Sequence, residues 1–98
     1  MIRHILLVSF NPDVTPEHLR TLEQGFYQLK KDIKGIEQVE FGQNNSPEGL
    51  NQNYSHAIVM TFVDLAARDA YLTDDYHEVF KRLFVPMIEN IIVFDYEV

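Results

Sequence analysis

A chain of 98 residues, 46% hydrophobic and 12% aromatic, makes one domain, 1–98, with a modest core. Its 8 basic and 15 acidic side chains give a net charge of −7, and it has no cysteine. Those counts exclude disulfide scaffolds, thiolate metal sites, iron–sulfur clusters and thiol nucleophiles, and the acidic balance argues against a nucleic-acid partner.

No basic run extends beyond Lys30-Lys31. The longest apolar runs, such as Ile5–Val8, are far shorter than the roughly 20 residues that a membrane span needs. Met1-Ile2-Arg3 leads straight into a strand-like pattern, so no signal peptide and a cytoplasmic location are expected.

Ile2 to Phe10 reads as a strand with apolar residues on both faces, the pattern of a central strand covered on both sides. Asn11-Pro12-Asp13 marks a turn, and Thr15-Pro16 opens a helix over Pro16–Ile33. Leu19, Leu22, Phe26, Leu29 and Ile33 form its apolar stripe, and Gly35 stops it. Gly25 is costly in mid-helix and points to a close backbone contact. His18 falls off the stripe and reads as a surface residue.

Ile36 to Gly42 is a weaker, edge-like strand, and Gln43 to Asn53 a long surface loop. Tyr54 to Phe62 is a third alternating strand. Asp64 caps a short helix to about Leu72, and Asp74-Asp75 starts another carrying His77, Phe80 and Phe84 on one side. Pro86 ends or kinks that helix. Ile91 to Val98 is the last strand, with Ile92, Phe94, Tyr96 and Val98 on one face.

The order β-α-β-β-α-β predicts a ferredoxin-like α+β fold: a four-stranded antiparallel sheet, helices on one face, first and third strands central. Ile5, Leu7, Ala57 and Val59 then make the opposite face apolar, which predicts a homodimer through that face.

Four residues are candidates for chemistry. His4 and His56 sit on otherwise apolar strand faces, and neighbouring strands are expected to bring their rings together at one end of the sheet. They either line a pocket or are core histidines satisfied by a carbonyl or a tyrosine hydroxyl. Tyr71 and His77 could face one cavity between sheet and helices. Imidazole is a competent base near neutral pH, and a phenol donates well to a carbonyl oxygen that gains charge. The same two side chains could instead merely bridge two helices. A cavity of about 300 Å³ or more reaching both is expected for a ligand site, and a packed interior for a protein without one. Three histidines could in principle hold a metal, but no ligand spacing supports it, and no metal is expected.

The opening Ile2-Arg3-His4-Ile5 with Phe10, the stretch Ser46-Pro47-Glu48-Gly49-Leu50-Asn51 running into Tyr54-Ser55-His56-Ala57, Tyr71 with His77 and Phe80, and Val93-Phe94-Asp95-Tyr96 together resemble the stress-responsive A/B barrel (Dabb) family over essentially the whole chain. The resemblance implies a dimeric α+β barrel of two ferredoxin-like subunits. It also implies a small-molecule ligand and, as in the family's polyketide cyclase, tyrosine–histidine chemistry on a linear poly-β-keto compound without metal or organic cofactor. Tyr71 and His77 match that pair as catalytic residues, and His4 and His56 match its supporting, substrate-binding histidines. One departure is Asp74-Asp75, where the family commonly has His-Pro. Two carboxylates there are expected to raise the proton affinity of His77. The alternatives are a non-catalytic stress-response or binding protein and a cofactor-independent monooxygenase.

Overall fold

In the computed structural model, which describes residues 1–98, the alternation of Ile2–Phe10 is realised as strand β1. After it come helix α1 (Pro16–Asp32), strand β2 (Ile36–Gln43) and strand β3 (His56–Phe62). Helices α2 (Leu65–Leu72) and α3 (Asp75–Phe84), a 3-10 turn at Val85–Met87 and strand β4 (Ile88–Glu97) complete the chain. The sheet order is β2-β3-β1-β4 and every pairing is antiparallel, which is the expected ferredoxin-like arrangement with β1 and β3 central.

The period of two assigns the side chains of β1. Ile2, His4, Leu6 and Val8 are buried beneath the helices with Ile58, Met60 and Phe62 of β3. Ile5 lies opposite Val59 and Phe94, and Leu7 opposite Ala57 and Ile92, on the face without helices. Both sheet faces are therefore apolar, but only one is covered by the chain itself.

Helix α1 buries Leu22, Phe26 and Leu29 against the sheet. The Phe26 ring centre lies 4.6 Å from that of Phe80 and 5.2 Å from that of Phe84, so α1 and α3 meet in an aromatic cluster. Burying a ring of this kind contributes about 1.5–3 kcal/mol. Thr15 caps α1 by accepting from the His18 amide at 3.1 Å. His18 is exposed as expected, yet it also serves the helix start, where its Nδ1 accepts from the Thr15 amide and closes a capping box.

Two boundaries differ from expectation by more than one residue. The last strand begins at Ile88 rather than Ile91, because the turn around Pro86 is short and Phe10 pairs with Ile88 across a bulge. The third strand starts at His56 rather than Tyr54. The segment between Gln43 and His56 is an irregular loop with Gly49, Gln52 and Asn53 at positive φ, so neither Tyr54 nor Ser55 is counted in the strand.

Gly25 meets the expected close contact. A Cβ built there would stand 2.6 Å from Cε1 of Phe80. Gly25→Ala gains about 1 kcal/mol of helix propensity against an overpacking cost of about 1–3 kcal/mol. The expected net result is a lower urea midpoint at unchanged m-value, relieved in a Phe80→Leu background. A midpoint equal to or above that of the wild type contradicts the steric argument.

Candidate active site

The site forms where β1, β4, α2 and α3 meet. In the β1–β4 register His4 stands directly opposite Asp95, and both project to the helix side. Nδ1 of His4 donates to Oδ1 of Asp95 at 2.7 Å. Arg68, on α2, donates through a terminal nitrogen to the other Asp95 oxygen at 2.7 Å and through Nε to Asp69 at 2.8 Å.

One turn beyond Arg68, the same helix buries Tyr71, which retains 2% exposure. Its ring meets His4 edge-on with centroids 6.0 Å apart and packs on Phe62 at 5.1 Å. The chain then breaks at Thr73. Asp64 and Asp74 cap α2 and α3 in turn, accepting from the amides of Ala67 and Tyr76 at 2.8 Å each. Beyond that break α3 packs on α1 through Phe80 and Phe84. The His77 ring stacks on Tyr71 with centroids 4.0 Å apart and planes 19° apart.

Nδ1 of His77 lies 2.9 Å from the Tyr71 carbonyl oxygen, which can only accept, so Nδ1 carries the proton and Nε2 the lone pair. His4 follows the same logic when Asp95 is a carboxylate. The fully enclosed side-chain polar atom without a partner is Ser9 Oγ. The Tyr71 hydroxyl and the two Nε2 atoms, which form no hydrogen bond within the chain, are therefore at least grazed by solvent.

His56 is elsewhere. The antiparallel register pairs His4 with Met60 and His56 with Val8, so the two histidines lie four strand positions, roughly 13 Å, apart. The expected convergence of their rings does not occur. His56 sits between the rings of Phe10 and Phe41, at 5.3 and 5.5 Å, with its Nδ1 2.8 Å from Ser55 Oγ. It borders a cavity of about 520 Å³ between the open sheet face and the β2–β3 loop, lined also by Leu7, Leu50, Tyr54, Val59 and Ile92. Tyr71 and His77 line neither this cavity nor the smaller depression of about 390 Å³ beside Lys81 and Pro86.

What lies open next to the His4–Tyr71–His77 group is strand β4. Val93 and Ile91 continue the helix-side row of Asp95 and are 57% and 39% exposed, an apolar shelf leading away from the ring cluster.

Burial in apolar surroundings lowers the proton affinity of His77 below the ordinary histidine value, and the hydrogen bond to the Tyr71 carbonyl only partly offsets it. The effect expected from Asp74 and Asp75 is thus overturned. The Asp74 carboxylate is turned to the Tyr76 amide as a cap, and desolvation outweighs the charges near His77. The Asp74 charge acts on Tyr71 instead, adding to the burial that pushes its hydroxyl well above the usual phenol range. Tyr71 is accordingly held in its neutral form, with a hydroxyl able to donate a hydrogen bond.

Asp95, named in the sequence only within the stretch Val93-Phe94-Asp95-Tyr96, and Arg68 were not among the four candidates for chemistry. The alternation of the last strand held a signal for Asp95: with Ile92, Phe94 and Tyr96 on one face, it places an acid on the other, facing the helices. Nothing in the spacing of α2 indicates Arg68, whose partner is 27 residues away.

The model of the stress-responsive A/B barrel domain family matches residues 2–98. The stress-response A/B barrel domain-containing protein HS1 of Arabidopsis thaliana is 30% identical over 98% of this chain and 88% of its own. Olivetolic acid cyclase of Cannabis sativa is 19% identical over 97% of this chain and 94% of its own. Among solved structures, a hydroxynitrile lyase from Passiflora edulis superposes with a TM-score of 0.93 at 19% identity, covering 99% of this chain and 92% of the lyase. A dimeric ferredoxin-like protein of unknown function from Jannaschia sp. does so with a TM-score of 0.86 at 23% identity, covering 99% and 98%. No helix of the chain is long and apolar enough to cross a membrane.

Burial lowers the proton affinity of His56 as well as that of His77. Below the unperturbed value of 6.5 the unfolded chain then binds more protons than the folded one. The stability contribution is complete above that pH and is lost as pH falls from there through the folded values. Urea midpoints between about pH 7.5 and 5.5 should decline with acidification. His56→Gln and His77→Gln should each flatten the decline, and a slope untouched by both substitutions would assign it to other groups.

Proposed function

The chain belongs to the stress-responsive A/B barrel domain family, and from that premise we propose that it is a homodimeric small-molecule-binding protein with cofactor-independent acid–base chemistry, cyclase- or lyase-like, on a carbonyl compound. The observation that carries this reading is the ring cluster. Nε2 of His4, the hydroxyl of Tyr71 and Nε2 of His77 belong to adjacent rings, and all three lack a partner in the chain.

In the proposed step, Nε2 of His77 removes a proton from the carbon beside a carbonyl. The C–H electron pair becomes an enolate whose oxygen is stabilised by the Tyr71 hydroxyl. For cyclisation, the enolate carbon bonds to a second carbonyl of the same substrate, whose oxygen takes up the proton from His77. A neutral histidine and a protonated tyrosine are the forms this requires, and burial favours both. The shelf of Val93 and Ile91 suits an apolar portion of the substrate. Likeness to a named cyclase and a named lyase supports the same class of reaction. His56, four strand positions from His4, takes no part in this step.

The dimer is proposed to form through the open sheet face, where Ile92 is 40%, Tyr96 43% and Phe94 62% exposed beside Ile5 and Leu7. Dimeric proteins of the same fold support the oligomeric state. A non-catalytic binding role is the second reading, favoured by the position of the larger cavity away from Tyr71 and His77.

The deciding experiment is α-proton exchange of a linear β-polyketone in D2O, followed by NMR. Wild-type protein should accelerate it, His77→Ala should lose about 10²–10⁴-fold, and Tyr71→Phe about 10²–10³-fold. No acceleration over buffer, together with a co-purifying molecule in native mass spectrometry, would favour the binding role. Light scattering should give about twice the 11.5 kDa chain mass for wild type and both variants, and a monomer would refute the proposed interface.

A further inference from the structure

We propose that Arg68 is a positioning residue for His4: by holding one oxygen of Asp95, it keeps the other on Nδ1 and fixes His4 as the tautomer with an unprotonated Nε2. The inference rests on the acid–base reading of the site for its purpose, but its geometry stands independently.

The chain of contacts runs from α2 across β4 to β1. Arg68 donates a terminal N–H to Oδ2 of Asp95 at 2.7 Å, and Oδ1 of Asp95 accepts a hydrogen bond from Nδ1 of His4 at 2.7 Å. All three side chains are largely shielded: Arg68 and Asp95 keep about a fifth of their exposure and His4 less than a tenth. A solvent-exposed pair of this kind would contribute little, since both partners would wander. Here the histidine end is fixed, with the His4 ring edge-on to both Phe62 and Tyr71, and Nε of Arg68 also donates to the more exposed Asp69.

The two carboxylate oxygens serve different partners. A carboxylate with one hydrogen-bonded neighbour can rotate about its Cβ–Cγ bond and offer either oxygen, in or out of the imidazole plane. Fastened at Oδ2 by a guanidinium, it can present only Oδ1 to the ring. An imidazole in front of an oriented carboxylate keeps its proton on the facing nitrogen, and the distal nitrogen is left to accept. For His4 that distal atom is Nε2, beside Tyr71. It can therefore receive a hydrogen bond from the tyrosine hydroxyl or from the enol form of a bound substrate. Arg68 touches neither Tyr71 nor His77 through a hydrogen bond and acts only through Asp95.

Long-range ¹H–¹⁵N correlation spectra of histidine-labelled protein, with His4 assigned through His4→Gln, report the tautomer without any substrate. Wild type should show His4 protonated on Nδ1. Arg68→Met should give a mixture of tautomers, and Arg68→Lys, which keeps a charge for Oδ2, should restore most of the wild-type population. Asp95→Asn, able to turn its amide NH2 toward Nδ1, should move the proton to Nε2. If the acid–base reading holds, α-proton exchange in Arg68→Met should slow by up to about 100-fold. A folded Arg68→Met with the wild-type tautomer population would overturn the proposal. So would a wild-type His4 protonated on Nε2, a result that needs no variant to fold. Wild-type protein that shows no exchange, but whose His4 tautomer follows Arg68, would remove the acid–base reading and leave the clamp in place.

Discussion

Strand β1 has a hydrogen-bonded neighbour on each side, and the two-residue period of its side chains therefore partitions the whole molecule. Even positions from Ile2 to Val8 go under the helices, and odd positions from Arg3 to Leu7 go to the bare face. A shift of one residue would exchange the two sets and place His4 on the bare face, away from Tyr71. The core fixes that register strongly. Leu6, Val8, Ile58, Met60 and Phe62 are buried together under α1 and α3, and none could turn outward without exposing a large apolar side chain. The polar group of the site is held by an apolar constraint.

The site is built by stacking layers of restraint on that strand. Cross-strand pairing gives His4 its carboxylate partner, and the break between α2 and α3 gives His77 its carbonyl partner. In both rings one nitrogen is committed to the scaffold and the other is spared. Burial then sets protonation, keeping His77 neutral and Tyr71 un-ionised. His77 and Tyr71 are thereby held in definite protonation states.

Much of the architecture was legible in the sequence because it depends on local physics. Strand alternation, the apolar stripe of α1, and the caps Thr15, Asp64 and Asp74 are all readable at short range. Pairing of Tyr71 with His77 was also within reach, since only six residues separate them. Register was not. Whether His56 falls beside His4 or four places from it depends on how β3 slides along β1, and neither strand's own alternation distinguishes those arrangements. The same blindness hid the Asp95–His4 pair. The effect of Asp74 on His77 was misjudged for another reason: charge can be counted in a sequence, whereas desolvation and the direction of a capping carboxylate require coordinates.

The notch at Gly25 has leverage at a distance. Phe80 enters it, and His77 lies one helical turn earlier on the same face of α3. The seating of an aromatic ring against a missing side chain on α1 thus acts as the stop that gauges how far α3 slides, and with it where the imidazole comes to rest. Evolution or engineering could shift the His77 ring by altering the depth of that seat, leaving every residue around the ring untouched.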